Sequence, residues 1–146
     1  MNRGSVRQII VTSTTWLVAI IFIGAGGSKI IDPAKFAMDI DNYRLLPYLL
    51  VTVAAVVLPW LEVMSGLALI VAKKRGGALL TLAGLSFMFI LAMVSALVRG
   101  LDISCGCFSI DGEGARIGVL RLIQDVLLFA AILFLYGHHS KTNSER

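Results

Sequence analysis

The chain has 146 residues, 58% of them apolar and 15% charged, with a formal net charge of +4. Soluble domains hold nearer ~45–50% apolar and ~25% charged residues, and a domain of this size cannot hide the excess from water. With a mean hydropathy of +0.87, the composition excludes a soluble enzyme, a disordered tail and a disulfide-rich secreted module. The basic residues punctuate apolar runs instead of forming a patch, so they mark membrane topology and not a nucleic-acid footprint.

Four apolar runs follow in chain order. Residues 8–28 carry no charge, residues 45–72 carry only Glu62, residues 76–98 carry none, and residues 117–137 carry Arg121 and Asp125. Each approaches or exceeds the ~20 residues that a helix needs to cross a bilayer core. The fold class expected is an all-α membrane protein, a four-helix transmembrane bundle forming one domain over 1–146. Its spans are placed near 8–28, 47–72, 76–98 and 117–137. Period-two alternation is missing, which argues against a lipid-facing barrel.

Span one opens behind Arg3 and Arg7. With Trp16–Ile23 and Gly24–Gly27 this end also resembles a cleavable leader, the competing reading, against which stand the Thr12–Thr15 stretch and the continuation through Ile30 and Ile31. Gly24, Ala25, Gly26 and Gly27, like Gly76, Gly77, Ala83 and Gly84 in span three, allow helices to approach closely. Asp32-Pro33 is a helix start, with Asp capping and Pro in the first turn. Phe36, Ile40 and Tyr43 then recur at helical spacing while Lys35, Asp39 and Asp41 fall on other faces. The pattern predicts a short amphipathic interfacial helix between spans one and two. Leu45-Leu46-Pro47 ends it. Lys29, Asp32, Phe36 and Tyr43 are the candidate residues for docking a partner here.

In span two, Glu62 precedes Lys73 by 11 residues, about 16 Å of helix, which puts a carboxyl deep in the membrane. It must be protonated, paired or turned to an internal cavity. Pro59, one turn earlier, frees a carbonyl and can bend the helix. Arg121 and Asp125 on span four stand at i, i+4 and can pair along one inward face. Glu62, Arg121 and Asp125 are the candidate intramembrane polar site, for a proton path or a quinone head group. Lone span methionines, Met64, Met88 and Met93, read as packing.

The Lys73-Lys74-Arg75 turn between two apolar spans sets the orientation. Both termini are expected in the cytoplasm of a plasma (inner) membrane. The loops near 28–46 and 99–116 then face outward. The second loop holds the only two cysteines, in Cys105-Gly106-Cys107. A ring closed over one intervening residue is tight, is eased by Gly106, and cross-links too short a loop to add much stability. A strained, exposed disulfide exchanges readily, and the outer side is oxidising. Redox exchange by Cys105 and Cys107 is therefore the leading use. Arg99 and Arg116 favour thiolate there, and Asp102, Asp111 and Glu113 oppose it. Two thiolates are also half of a tetrahedral metal site. However, His138 and His139 belong to the opposite face, and no metal is assigned.

Several motifs line up in order: Gly27-Ser28-Lys29 with Asp32-Pro33 and Phe36; Tyr43-Arg44-Leu45-Leu46-Pro47; Leu58-Pro59 with Glu62 and Gly66; Arg99-Gly100 with Cys105-Gly106-Cys107-Phe108; and Arg121 with Asp125. Over about residues 15–135 the chain resembles the MauE/DoxX group of redox-associated membrane proteins. Ser109 departs from the small glycine that often follows the Phe. The resemblance implies a four-helix bundle. In its methylamine-utilisation members it implies a part in the processing, export or maturation of the disulfide-rich small subunit of methylamine dehydrogenase. In its DoxD-like relatives it implies thiosulfate:quinone electron transfer. The expected function is thus an integral membrane thiol–disulfide protein serving a thioredoxin-like exported protein or an exported disulfide-bearing client, with quinone as a candidate cofactor. The alternatives are a non-catalytic docking or maturation subunit, a quinone-linked oxidoreductase subunit, or a small-molecule carrier.

Overall fold

The computed structural model describes residues 3–101 and 114–144. Five α-helices and one 3-10 turn account for nearly all of them: α1 Arg3–Ile31, α2 Pro33–Asn42, α3 Tyr48–Ile70, the turn Ala72–Lys74, α4 Arg75–Val98 and α5 Gly114–Ser144. No strand occurs among the described residues. Four of the helices, over Ser5–Ile31, Tyr48–Ile70, Arg75–Val98 and Val119–Ser140, are long and apolar enough to cross a membrane. The protein is a multi-pass membrane bundle.

The element boundaries follow local chemistry. Asp32 Oδ1 accepts from the Lys35 backbone N–H at 3.0 Å with Pro33 in the first turn, the predicted start of α2. Pro47 caps α3 from an extended backbone. α4 ends in a Schellman turn. The Gly100 N–H reaches the Leu97 carbonyl and the Leu101 N–H reaches the Ala96 carbonyl, with Gly100 in the left-handed region at φ 65°, where glycine is unstrained. One boundary differs from expectation. α1 runs past residue 28 to Ile31, so Lys29 belongs to a span and not to a loop. The polar stretch before it is tolerated because Thr15 donates back to the Val11 carbonyl at 2.7 Å.

α1 and α3 pack antiparallel at very short range. A Cβ on Gly26 would lie 2.8 Å from the Pro59 carbonyl oxygen and 2.8 Å from Val63 Cγ2, and one on Gly66 would lie 2.9 Å from Ile23 Cγ1. Such contact between small residues substitutes for a hydrophobic driving force that lipid cannot supply. Gly26→Ala is therefore expected to cost about 1–3 kcal/mol by overpacking. Gly27→Ala, with open space around its Cβ, is expected to be neutral or slightly stabilising. Unfolding of the two variants in detergent checks the contrast.

The same antiparallel register continues through α2. Phe36 and Ile40 pack on Val51 and Ala55 in the first half of α3, and Tyr43 packs with Met93 and Ala96 of α4. α2 thus extends the course of α1 along α3 after the break at Asp32. At the other end Val18, Phe22, Leu69, Leu79, Leu82 and Ile132 form the main core. Large apolar side chains such as Ile20, Leu49, Trp60, Leu80 and Phe134 point outward, as lipid-facing residues do.

The candidate intramembrane site

Glu62 lies 14 residues into α3, about 21 Å along its axis. One turn before it, Pro59 has no N–H to offer the Ala55 carbonyl, and its own carbonyl oxygen rests against Gly26. The missing Cβ at Gly26 lets α1 come close enough for Lys29, one turn further along α1, to reach Glu62. Lys29 Nζ donates to Glu62 Oε1 at 2.7 Å and to Oε2 at 3.0 Å. The two side chains are 12% and 3% exposed, so the pair is buried inside the bundle. The ammonium also sits over two rings, 4.8 Å from the centroid of Phe36 and 4.6 Å from that of Phe89. Desolvated cation–π contacts are worth about 2 kcal/mol.

A cavity of about 430 Å³ opens beside the pair. Lys29, Glu62, Ser86 and Phe89 line it from α1, α3 and α4, and Arg121, Gln124 and Asp125 line it from α5. Asp39 of α2 and Tyr43, just past its end, also line it. Its size lies within the range of small-molecule sites. Its formal charges nearly cancel: Lys29 and Arg121 against Asp39, Glu62 and Asp125. A second cavity of about 420 Å³ adjoins it between α2, α3 and α4. Ile40, Leu46, Ala54, Leu58, Leu91 and Ala92 make it almost wholly apolar. Tyr43 and Phe89 belong to both walls.

The fold brings Glu62, Arg121 and Asp125 to one cavity, although 59 residues of sequence separate the first two. It differs from the sequence reading in how they pair. The direct partner of Glu62 is Lys29, and among the described residues Arg121 and Asp125 are not joined in an ion pair. Of the residues considered for docking, Lys29, Phe36 and Tyr43 face the interior, and Asp32 is exposed at the start of α2. Cys105 and Cys107 lie outside the described residues. The ends of their segment are described, however. Leu101 packs against the cluster of Tyr43, Met93 and Ala96. Arg99 donates through Nη2 to the Tyr43 carbonyl and through Nη1 to the Arg44 carbonyl at 3.3 Å. These anchors stand at the Tyr43 end of the cavity. His139 lies near Gly76 beside the Lys73–Arg75 turn, at the opposite end of the bundle.

Lys29 as partner of Glu62, and Phe36 and Phe89 as its flanking rings, are missed by the sequence reading. The one hint was the Gly26–Lys29 spacing, which puts a small residue and a cation on the same helix face.

Residues 7–137 match the family described as Methylamine utilisation protein MauE. The chain belongs to the MauE family. Among curated MauE relatives, Methylamine utilization protein MauE of Methylophilus methylotrophus is 32% identical over 119 residues, covering 81% of this chain and 63% of the relative. The protein of the same name from Paracoccus denitrificans is 28% identical over 129 residues, covering 88% of this chain and 69% of the relative. This MauE-family chain therefore spans about two thirds of the length of these relatives. No solved structure matches it.

Proposed function

We propose that this protein is a plasma-membrane thiol–disulfide protein of methylamine utilisation. Cys105 and Cys107, held on the outer face with both termini in the cytoplasm, exchange disulfides with an exported thioredoxin-like protein or an exported disulfide-bearing client. One thiolate attacks the client disulfide and the other resolves the mixed disulfide. The observation that carries this reading is the Cys-Gly-Cys pair itself. The chain's only two cysteines stand one residue apart, where a cross-link stabilises little and exchange gains most. The anchoring of that segment supports it. Leu101 and Arg99 tie the segment's start to Tyr43, which lines the polar intramembrane cavity.

The test is thiol alkylation in intact cells with a membrane-impermeant maleimide, under oxidising and reducing growth. Labelling of Cys105 and Cys107 from outside is expected, with a redox-dependent labelled fraction. Single Cys105→Ser and Cys107→Ser variants are expected to trap a mixed disulfide whose partner mass spectrometry identifies. Cysteines that label only after the membrane is opened, or that remain reduced under every condition, overturn the reading.

A second reading, a docking subunit without redox chemistry, draws support from the exposed edge of α2, where Asp32, Lys35, Met38 and Asp41 stand clear of the bundle.

A further inference from the structure

We infer that the two adjoining cavities form one divided site for a lipid-tailed quinone, its ring in the polar chamber and its tail in the apolar one. The division is read directly from the walls. One chamber carries Lys29, Glu62, Arg121, Gln124 and Asp125. The other is lined almost entirely by aliphatic and aromatic side chains. Tyr43 and Phe89 are shared between them. A ligand that satisfies both is an amphiphile with a compact polar head and a hydrocarbon tail.

The head is constrained further. With two cations set against three carboxyls, the chamber does not favour a phosphate or carboxylate head. The ammonium already between Phe36 and Phe89 occupies the place of a cationic head. What remains is an uncharged head that accepts hydrogen bonds, since the Arg121 guanidinium and the Gln124 amide supply donors. Carbonyl oxygens on a flat ring meet this requirement, and the phenyl walls suit a ring face.

Choosing quinone among neutral amphiphiles rests on the thiol–disulfide reading. When two thiols close to a disulfide they release two electrons and two protons. A quinone takes up all four as its two carbonyl oxygens become hydroxyls, and the reverse reaction returns them. A membrane-dissolved quinone/quinol couple has this stoichiometry: its quinol returns a pair oxidised by the client to the dithiol, and its quinone returns a pair reduced by the client to the disulfide.

The test uses the full chain in lipid nanodiscs, as wild type and as the Cys105→Ser/Cys107→Ser variant, so that binding is scored without thiol chemistry. The probes are decylubiquinone and its tail-less parent, 2,3-dimethoxy-5-methyl-1,4-benzoquinone. Saturable binding of decylubiquinone, one per chain, is expected in both proteins. Arg121→Gln is expected to weaken both probes about tenfold, the weight of one good hydrogen bond. Ala92→Phe, which fills the apolar chamber, is expected to weaken decylubiquinone about tenfold and leave the tail-less probe unchanged. Absence of saturable binding overturns the inference. So does an Ala92→Phe variant that weakens both probes equally or neither. So does a co-purifying phospholipid, one per chain, that decylubiquinone does not displace. Quinone binding with inert cysteines would sink the redox reading and leave this site standing. Exchanging cysteines without quinone binding would do the opposite.

Discussion

Lys29→Met is expected to destabilise the folded bundle by about 3–5 kcal/mol, the cost of stripping the partner from a buried charge. Lys29 Nζ engages both Glu62 oxygens. The Glu62 side chain is 3% exposed, so the carboxylate left without its ammonium stays buried. The apolar side chain of Met still packs between Phe36 and Phe89, so lost volume contributes little to the effect. The double variant Lys29→Met/Glu62→Gln is expected to recover most of the loss, because it removes the charge that the single variant orphans. Unfolding in detergent, followed by helix signal against temperature for the four proteins of the cycle, measures the coupling. A single variant as stable as the parent would show that the pair does not hold α1 to α3.

Replacing both cysteines with Ser is expected to leave insertion and unfolding unchanged and to abolish function. Ser is nearly isosteric with Cys, and a disulfide closed over one residue adds little stability. Chemically, however, a hydroxyl cannot take part in disulfide exchange. The readout is growth on methylamine of a host lacking its own MauE and supplied with this chain, together with the redox state of the partner trapped by the single-cysteine variants. Full growth with the Ser pair would exclude exchange and leave the docking reading, in which the exposed edge of α2 does the work.

How far the sequence reaches differs from element to element. The start of α2 was readable because its causes lie within four residues: Asp32 accepts from the Lys35 N–H, and Pro33 is set for a first turn. The spans were readable because lipid imposes one rule on every residue between its faces, that backbone groups be paired within a helix. The end of α1 was misplaced because Ser28 and Lys29 look like the start of a loop. A carboxylate on another helix holds this lysine inside the span. Arg121 and Asp125 were readable as inward-facing for the same reason that Glu62 was, the penalty on charge in hydrocarbon. Their grouping with Glu62 was readable, but the identity of its partner was not.

Composition and charge spacing were enough to establish that this chain crosses a membrane four times, where its amphipathic helix begins and which carboxyl must be sheltered. These follow from hydration and local hydrogen bonding, which act on each residue whatever its distant neighbours. The tertiary structure alone decided that Lys29, 33 residues from Glu62 in sequence, is the sheltering partner, and that a polar and an apolar chamber meet at Tyr43 and Phe89. Both depend on how closely α1 approaches α3 at Gly26 and on the path of α2 along α3, and helix registry of that kind is set by packing between helices, which no local pattern encodes.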